Sequence, residues 1–429
     1  MENLLLIVAL VVLILLGAPI GFIMIVVPTV YILVTDALPL VTVPYQMYEG
    51  ISHFPLVAIP FFIFTAEIMN SSKITDRLLD LSREVVGRIR GGLAQASVML
   101  SMLFASMNGS AVADSAAVGS VLIPAMKKAG YSGAFAAGLI AVAGTIGGII
   151  PPSIAMIILA SNSNLSIGAM FAAGILPGIA IGLALMLVCY LFAVRRGYER
   201  YEVPFSWGVF GRVFGRAILP LLIPVVLVGG IIGGVFSTVE AGAVTAATAL
   251  IIGSVFLRGL SWRGFRGAVV RAARTTSSVF IIIAAAGPFG WLLSRIGALN
   301  FMEEWLLGFQ SRPVLFVVAV LFVVLVSGMV MDVVANLIIL GPLLVKVMVV
   351  VGYHPYQAAL IVCVGFLLGT ATPPVGVSLF TVAAIAREKL EAVSVAAIPF
   401  VLVEVLALVL LLLVPDLSLW LPRLLGFAR

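Results

Sequence analysis

The stretch "AGTIGGIIPPSIAM", residues 143–156, sets Gly144, Gly147, Gly148, Pro151 and Pro152 inside a run that is otherwise apolar. A run of this kind reads as a membrane helix. Each proline removes an N–H and clashes with the turn before it, which frees carbonyl oxygens there. In hydrocarbon such a break persists only where protein or a lined cavity satisfies the released backbone groups.

The rest of the chain agrees with a lipid environment. Of 429 residues 63% are hydrophobic and 10% charged, and mean hydropathy is +1.27. Runs near the roughly 20-residue length of a bilayer-spanning helix recur from end to end, and no stretch has the polar, aromatic-poor composition of a disordered tail or a soluble domain. One polytopic, all-α membrane unit is expected. The net charge of +6 does not point to nucleic acid, because the basic residues fall in short clusters between apolar runs, as the positive-inside bias requires. The start, "MENLLLIVALVVLILLGAPIGF", lacks the basic flank of a signal peptide and runs into another apolar segment, so it reads as a retained first span. Cys189 and Cys363 lie in apolar spans without neighbours at metal-ligand or redox spacing, and read as core.

The break has a partner. Sliding the chain along itself by 222 residues aligns its two halves without a gap. Gly119 falls on Gly341, Gly130-Tyr131 on Gly352-Tyr353, Gly147 on Gly369, Pro151-Pro152 on Pro373-Pro374 and Pro177 on Pro399. Between 101–153 and 323–375, 15 of 53 positions are identical. The second break reads "LGTATPPVGVSLF", and Ser72-Lys73-Ile74 matched to Ser294-Arg295-Ile296 carries the repeat upstream.

Counting crossings decides whether the halves are parallel or inverted. In the first repeat, 1–194, spans are predicted near 4–18, 20–35, 54–70, 132–160 and 167–193. An amphipathic interfacial helix over 73–92 carries Arg77, Arg83, Arg88 and Arg90. Segment 93–126 follows, with Lys127-Lys128 beyond it, so both its flanks are basic. Such a segment enters and leaves on one side, as a re-entrant hairpin with its tip near 107–111. Arg195-Arg196 marks the cytoplasmic end of the fifth span, 195–215 is a cytoplasmic linker, and the N-terminus is then periplasmic.

The second repeat, 216–429, has predicted spans near 216–236, 240–257, 275–295, 355–386 and 394–421 and a hairpin over 314–348. Arg258, Arg263, Arg266, Arg271 and Arg274 read as one cytoplasmic loop. Five crossings is an odd number, so the second half is upside down relative to the first. Lys346, Arg423 and Arg429 fall on the outer side in this topology, against the charge bias.

Inverted repeats with broken helices at mid-membrane point to the substrate and ion sites of a secondary transporter. Freed carbonyls with hydroxyl and amide oxygens suit sodium, and N–H groups at a half-helix start suit a carboxylate. The first hairpin, "SMNGSAVADSAAVGSVLIP" over 106–124, carries Ser110 and Asp114; their counterparts in the second are Asp332 and Asn336. A buried carboxylate in a membrane is a functional candidate, and a helix N-cap just past each tip is the structural alternative for Asp114 and Asp332. Glu67 reads as an interfacial or site residue, Glu240 as a helix-start carboxylate, and Glu404 stands in the last span without an obvious partner. His53 and His354 stand at span ends.

At this point "NGSAVADSAAVGSVLIP", "GGIIPPSIAMIILA", "MFAAGILPG" and "GTATPPVGVSLFTVAAIA", in this order and spacing, resemble the large membrane subunit of tripartite ATP-independent periplasmic (TRAP) transporters over essentially the whole chain. The resemblance implies sodium-coupled import of organic acids of the C4-dicarboxylate, keto acid or sialic acid type, across the bacterial inner membrane. It implies two partners, a small four-helix membrane subunit and a soluble periplasmic binding protein, and no cofactor beyond the coupling sodium ions. It also implies an elevator, in which outer helices form a scaffold and both hairpins and both broken helices form a moving transport domain.

Carried over by position, one sodium site uses Ser106, Asn108 and Ser110 with backbone near Gly147 and Pro151; the other uses Gly328, Asp332, Thr370 and Thr372. Substrate then sits between the tips, among Asn108, Ser110, Asp114, Pro152, Ser153, Asn336, Pro374 and Ser378. The chain departs from the family pattern at Asn108, Asp114 and Ser378. No basic residue lies at either tip or break, which leaves carboxylate recognition to backbone N–H groups, hydroxyls and bound cations.

Two other readings compete. A stand-alone sodium/dicarboxylate carrier of the divalent-anion class has the same architecture without a binding protein. An intramembrane serine enzyme needs a general base near Ser110, and both histidines lie at span ends instead. No Walker-type phosphate loop occurs, which agrees with ion coupling.

Overall fold

Glycine and proline punctuate the apolar runs into helices of two kinds, long and continuous or short and paired. The protein is described here from a computed structural model for residues 13, 18–36, 38–198 and 206–428, among which no strand occurs. The predicted span near 4–18 lies outside the described residues except for its Leu13 and Ala18.

The first half contains α1 (Ile20–Thr35), α2 (Thr42–Ile51), α3 (Ala58–Ser71) and the amphipathic α4 (Ile74–Val86). Helices α5 (Gly92–Asn108) and α6 (Ala111–Lys128) form the first hairpin pair, joined through Gly109 in the left-handed region at φ 61°. Helix α7 (Gly133–Ala143) then tightens into a 3-10 turn, Gly144–Gly148, and the chain restarts past the prolines as α8 (Ile154–Asn162) before the long α9 (Ile167–Arg196).

The second half contains α10 (Trp207–Ile232), α11 (Thr238–Ile251), which ends in a π turn, and α12 (Trp262–Arg295), followed by α13 (Ala298–Leu307). Its hairpin pair is α14 (Pro313–Val330) with α15 (Val333–Ile339) and α16 (Gly341–Val350). Its interrupted pair is α17 (Pro355–Gly369) and α18 (Val377–Ala386), and α19 (Leu390–Leu413) and α20 (Asp416–Leu424) close the chain.

These boundaries recur at the sequence offset. Helices α5, α7 and α8 begin at 92, 133 and 154; α14, α17 and α18 begin at 313, 355 and 377, each within a residue of a shift by 222. Packing exchanges between the halves in the same way. Helix α7 packs on α19 while its counterpart α17 packs on α9, and α6 packs on α18 while α15 packs on α8.

Several predicted boundaries move. Seven described helices are long and apolar enough to cross a membrane, or eight if α15 and α16, bent by 49°, count as one span. Six of the ten expected spans are among these, and the seventh helix is α14, expected in the hairpin. Of the other four, 4–18 lies outside the described residues, α1 has only 16 residues, and the two broken spans are the halves α7, α8, α17 and α18 of 9 to 15 residues, each too short to cross alone. The stretch 394–421 is two helices, divided before Pro415. Helix α10 starts inside the predicted linker. The arginines expected in a loop lie instead on the first turns of α12, except Arg258, which is left-handed at φ 46°. Helix α2 was not expected, and α13 takes the acidic segment at the place where α4 stands in the first half. Glu240 closes a capping box with Ser237, as its helix-start position suggests.

Burial separates two populations of helix. The 3-10 turn, α8 over Ile154–Ala160 and α17 over Gln357–Gly369 are buried throughout. In α10 and α14 only 28% of the spanning window is buried. The first break and most of α17 therefore sit inside, flanked by continuous helices that expose many apolar side chains, the arrangement that lipid demands. Small residues let the two populations approach: a methyl group at Gly138 of α7 would meet the Ala397 amide of α19 at 2.8 Å.

Candidate functional site

The first hairpin turn is bonded to the first break. Gly109 accepts a hydrogen bond from the Ile154 amide at 3.3 Å, and a β-carbon at Gly109 would stand 2.9 Å from the Pro152 carbonyl. Only glycine combines the positive φ with so close an approach. Ser110 occupies the N-cap position of α6 without a side-chain capping bond, and is half-buried. The side chains of Ser106 and Asn108 lie outside what the structure describes; their backbone forms the last turn of α5.

Asp114 is fully buried in the first turn of α6, and its carboxyl lies against Gly147, where an added methyl group would collide with it. The structure thus sets Asp114 beside a residue of the first ion group, although position alone assigned it to the substrate group. Ser115 closes the next contact against Gly144, and its hydroxyl reaches the Ile140 and Ala141 carbonyls at 3.4 Å. Ser153 caps α8: it accepts the Met156 amide at 3.1 Å and donates to the Gly148 carbonyl, so its hydroxyl bridges the break that contains Pro151 and Pro152. All three of these break residues are buried.

The second hairpin uses different chemistry at equivalent positions. Asp332 is the N-cap of α15, accepting the Val334 amide at 2.8 Å, so the capping alternative holds for this residue. It does not hold for Asp114, which lies inside its helix. Asn336 is buried and braces the turn, its amide nitrogen donating to the Ser327 carbonyl at 3.0 Å and the Met331 carbonyl at 3.3 Å. Gly328 packs backbone to backbone on α17: a methyl group there would meet the Phe366 carbonyl at 2.8 Å and the Gly369 Cα at 3.1 Å.

At the second break the chain folds back on itself. The Ser378 amide donates to the Thr370 carbonyl at 2.9 Å, and the Ser378 hydroxyl donates to Thr370 Oγ1 at 3.2 Å. Thr370 and Thr372 donate in turn to the Leu367 and Leu368 carbonyls at 2.7 and 2.8 Å. Each hydroxyl oxygen keeps lone pairs, so this loop offers oxygen ligands of the kind a monovalent cation takes. Pro374 is exposed, in contrast to its buried counterpart Pro152. The two breaks therefore differ in access: the first is sealed by the core and the second opens at the surface of the protein.

Four half-helix starts converge on these breaks and turns, at Ala111, Ile154, Val333 and Val377. Protein oxygens already take several of the first amides, those of Ile154, Met156, Val334 and Ser378, but the helix dipole still leaves partial positive charge at these ends, which suits an anionic ligand. A charged recess lies elsewhere. A cavity of about 630 Å³ is lined by Asp80, Arg83 and Glu84 of the amphipathic α4, by Arg88 just past its end and by Val213 of its neighbour α10.

Sequence reasoning missed one polar contact. Glu404 of α19 meets Thr145 of the 3-10 turn, its Oε1 2.5 Å from Thr145 Oγ1. The partners stand 259 residues apart, and no local spacing signals them. Glu67 forms an ion pair near the end of α3, where Arg271 Nε donates to it at 2.7 Å.

Paired interrupted helices at the centre of a bundle, each touched by a hairpin turn and sheathed in long apolar helices, define a polytopic membrane protein of the transporter class. The solved Alcanivorax borkumensis YdaH transporter has a similar fold, at a TM-score of 0.60 over 91% of this chain and 90% of that one, with 15% identity. The chain belongs to the tripartite ATP-independent periplasmic transporter family, DctM component, whose family model matches residues 7–417. It is similar to the sialic acid TRAP transporter large permease protein SiaM of Vibrio cholerae, at 32% identity over 96% of this chain and 97% of that one. It is also similar to the C4-dicarboxylate TRAP transporter large permease protein DctM of Pseudomonas aeruginosa, at 33% identity over 89% and 90%. These relatives are transporter permease subunits.

Proposed function

We propose that this chain is the large permease subunit of a sodium-coupled importer of organic acids. It receives its substrate from a periplasmic binding protein and works beside a small four-helix membrane subunit in the bacterial inner membrane, with its N-terminus periplasmic. Membership of the family carries the reading, and the paired breaks with their own hairpin turns support it. Sialic acid and C4-dicarboxylates, named for the two relatives, are carboxylates, and the half-helix starts supply amides for such groups.

In this reading the two halves are inverted repeats, and the core of hairpins and broken helices moves as an elevator against the outer helices. The exchange of packing between α7–α19 and α17–α9 favours a two-fold relation. One sodium lies at the first turn, near Ser106, Asn108, Ser110 and the backbone of Gly147 and Pro151. Another lies at the second, held by Gly328, Asp332, Thr370 and Thr372. Substrate lies between them. Each sodium entering down a membrane potential supplies roughly 2.3 kcal/mol per 100 mV.

Uptake into liposomes containing this chain and its small subunit tests the proposal. Accumulation of an organic acid is expected only with an inward sodium gradient and the binding protein. Uptake indifferent to sodium overturns the coupling, and uptake indifferent to the binding protein favours the stand-alone sodium/dicarboxylate carrier.

A further inference from the structure

Glu404 lies within α19 with 1% of its surface exposed. Its Oε1 is 2.5 Å from Thr145 Oγ1, and the same hydroxyl is 2.7 Å from the Val142 carbonyl. A hydroxyl has one proton and donates one hydrogen bond. The Val142 carbonyl and an ionised Glu404 would both be acceptors competing for that single proton; a proton on Glu404 lets both contacts be hydrogen bonds, Thr145 donating to Val142 and Glu404 donating to Thr145.

The second carboxyl oxygen points to the same protonation state. Glu404 Oε2 is buried and has no hydrogen-bond partner among the described residues, and none of their ion pairs includes Glu404. As a carboxylate the group would hold a full charge in a membrane helix with one oxygen unanswered. As a carboxylic acid it is neutral, and its O–H donates to Thr145.

Among the described residues no basic side chain forms an ion pair with Glu404. Helix α19 packs against α7, α9, α17, α18 and α20. The first and fourth of these carry no titratable residue. Helix α9 brings Cys189 and Tyr190, with Arg195 and Arg196 at its end; α17 brings Tyr356 and Cys363. On α20, Asp416 and Arg423 pair with each other. Glu391 stands in the first turn of α19 itself, and Asp114 lies against Gly147 on the far side of the turn that holds Thr145. The pair is also absent from the other repeat, where the counterparts of Glu404 and Thr145 are Gly182 and Leu367. Repeat architecture therefore does not dictate it.

We propose that Glu404 is a proton-binding site facing the first broken span, occupied in this conformation. A carboxylate oxygen takes a proton from a hydronium ion: one O–H bond of hydronium breaks, leaving water, one O–H bond forms on Glu404, and that proton is donated in a hydrogen bond to Thr145; release reverses the step. Because the bond joins an outer helix to the interrupted core, sliding of the core breaks it and ties proton occupancy to core position. That coupling rests on the elevator reading, whereas the proton site does not.

Infrared difference spectroscopy of the full-length protein in lipid, with Glu404→Gln as reference, tests the site without substrate or transport. Glutamine keeps the shape and an N–H for Thr145. The carbonyl band of one protonated carboxyl is expected in the unmodified protein at neutral pH and absent from the variant. Thr145→Val, which keeps the acid and removes its acceptor, is expected to retain the band at a shifted frequency. Identical carbonyl regions in the unmodified protein and Glu404→Gln overturn the proposal. If that variant fails to fold, an unshifted carbonyl region in Thr145→Val overturns it.

Discussion

The carbonyl of Gly109 accepts the amide of Ile154 at 3.3 Å, joining the turn of the first hairpin to the first residue of the half-helix beyond Pro151-Pro152. One hydrogen bond thus aligns two segments that the chain separates by α6 and α7. Gly109→Ala forces an L side chain into the left-handed region and against the Pro152 carbonyl. A stability loss of about 1–2 kcal/mol is expected from the conformation alone. Transport is expected to fall further than stability does, as measured by uptake at matched amounts of folded protein.

Gly328 tests the second contact between hairpin and break. Its backbone is helical, so alanine is not strained there and any effect reports the crossing with Phe366 and Gly369. Overpacking of about 1–3 kcal/mol is expected for Gly328→Ala. Gly211, in α10, has nothing within 4 Å of an added methyl group, and Gly211→Ala is expected to be neutral or stabilising. Thermal melts of the two variants check the contrast.

Capping and ion binding by Asp332 separate in two substitutions. Asp332→Asn keeps an oxygen for the Val334 amide but removes the charge; Asp332→Ala removes both. The alanine variant is expected to lose about 1 kcal/mol of stability and the asparagine variant much less. Both are expected to need more sodium for half-maximal uptake. Unchanged sodium dependence in the asparagine variant removes Asp332 from the ion site.

His354 caps α17 from outside the span, its Nδ1 accepting the Tyr356 amide at 3.3 Å. Burial, and secondarily the charge of Arg423, lowers its pKa from the ordinary value of 6.5. The unfolded chain then binds the proton more tightly. The contribution is therefore present above that ordinary value and is lost as pH falls through the lower folded one. Acidification below about pH 6.5 is expected to reduce the melting temperature, and less so in His354→Asn, whose side chain caps without titrating.

Much of this organisation is legible in sequence because proline and glycine act locally. Pro151, Pro152, Pro373 and Pro374 interrupt helices wherever they occur, and the interruptions stand where the 222-residue offset places them. Gly109 marks the first hairpin turn for the same reason. Helix α2 was not legible, since it buries only Val43 and meets α12 through close backbone approach at Gly50 and Gly287, which leaves no periodic apolar signal. The extent of α12 was not legible either, because clustered arginines read equally well as a loop or as the wet end of a helix.

Site residues divide along the same line. Composition and periodicity alone determined a polytopic helical membrane protein, and the spacing of its polar, glycine and proline residues determined two equivalent broken segments with a hairpin before each. These are properties of each residue and its near neighbours. Tertiary structure alone decided that Asp114 faces Gly147, that Asn336 braces a turn, that the first break is sealed while the second is open, and that Glu404 meets Thr145. Which buried polar atoms meet depends on how separate helices cross, and in an apolar chain nearly every crossing looks alike until packing selects one.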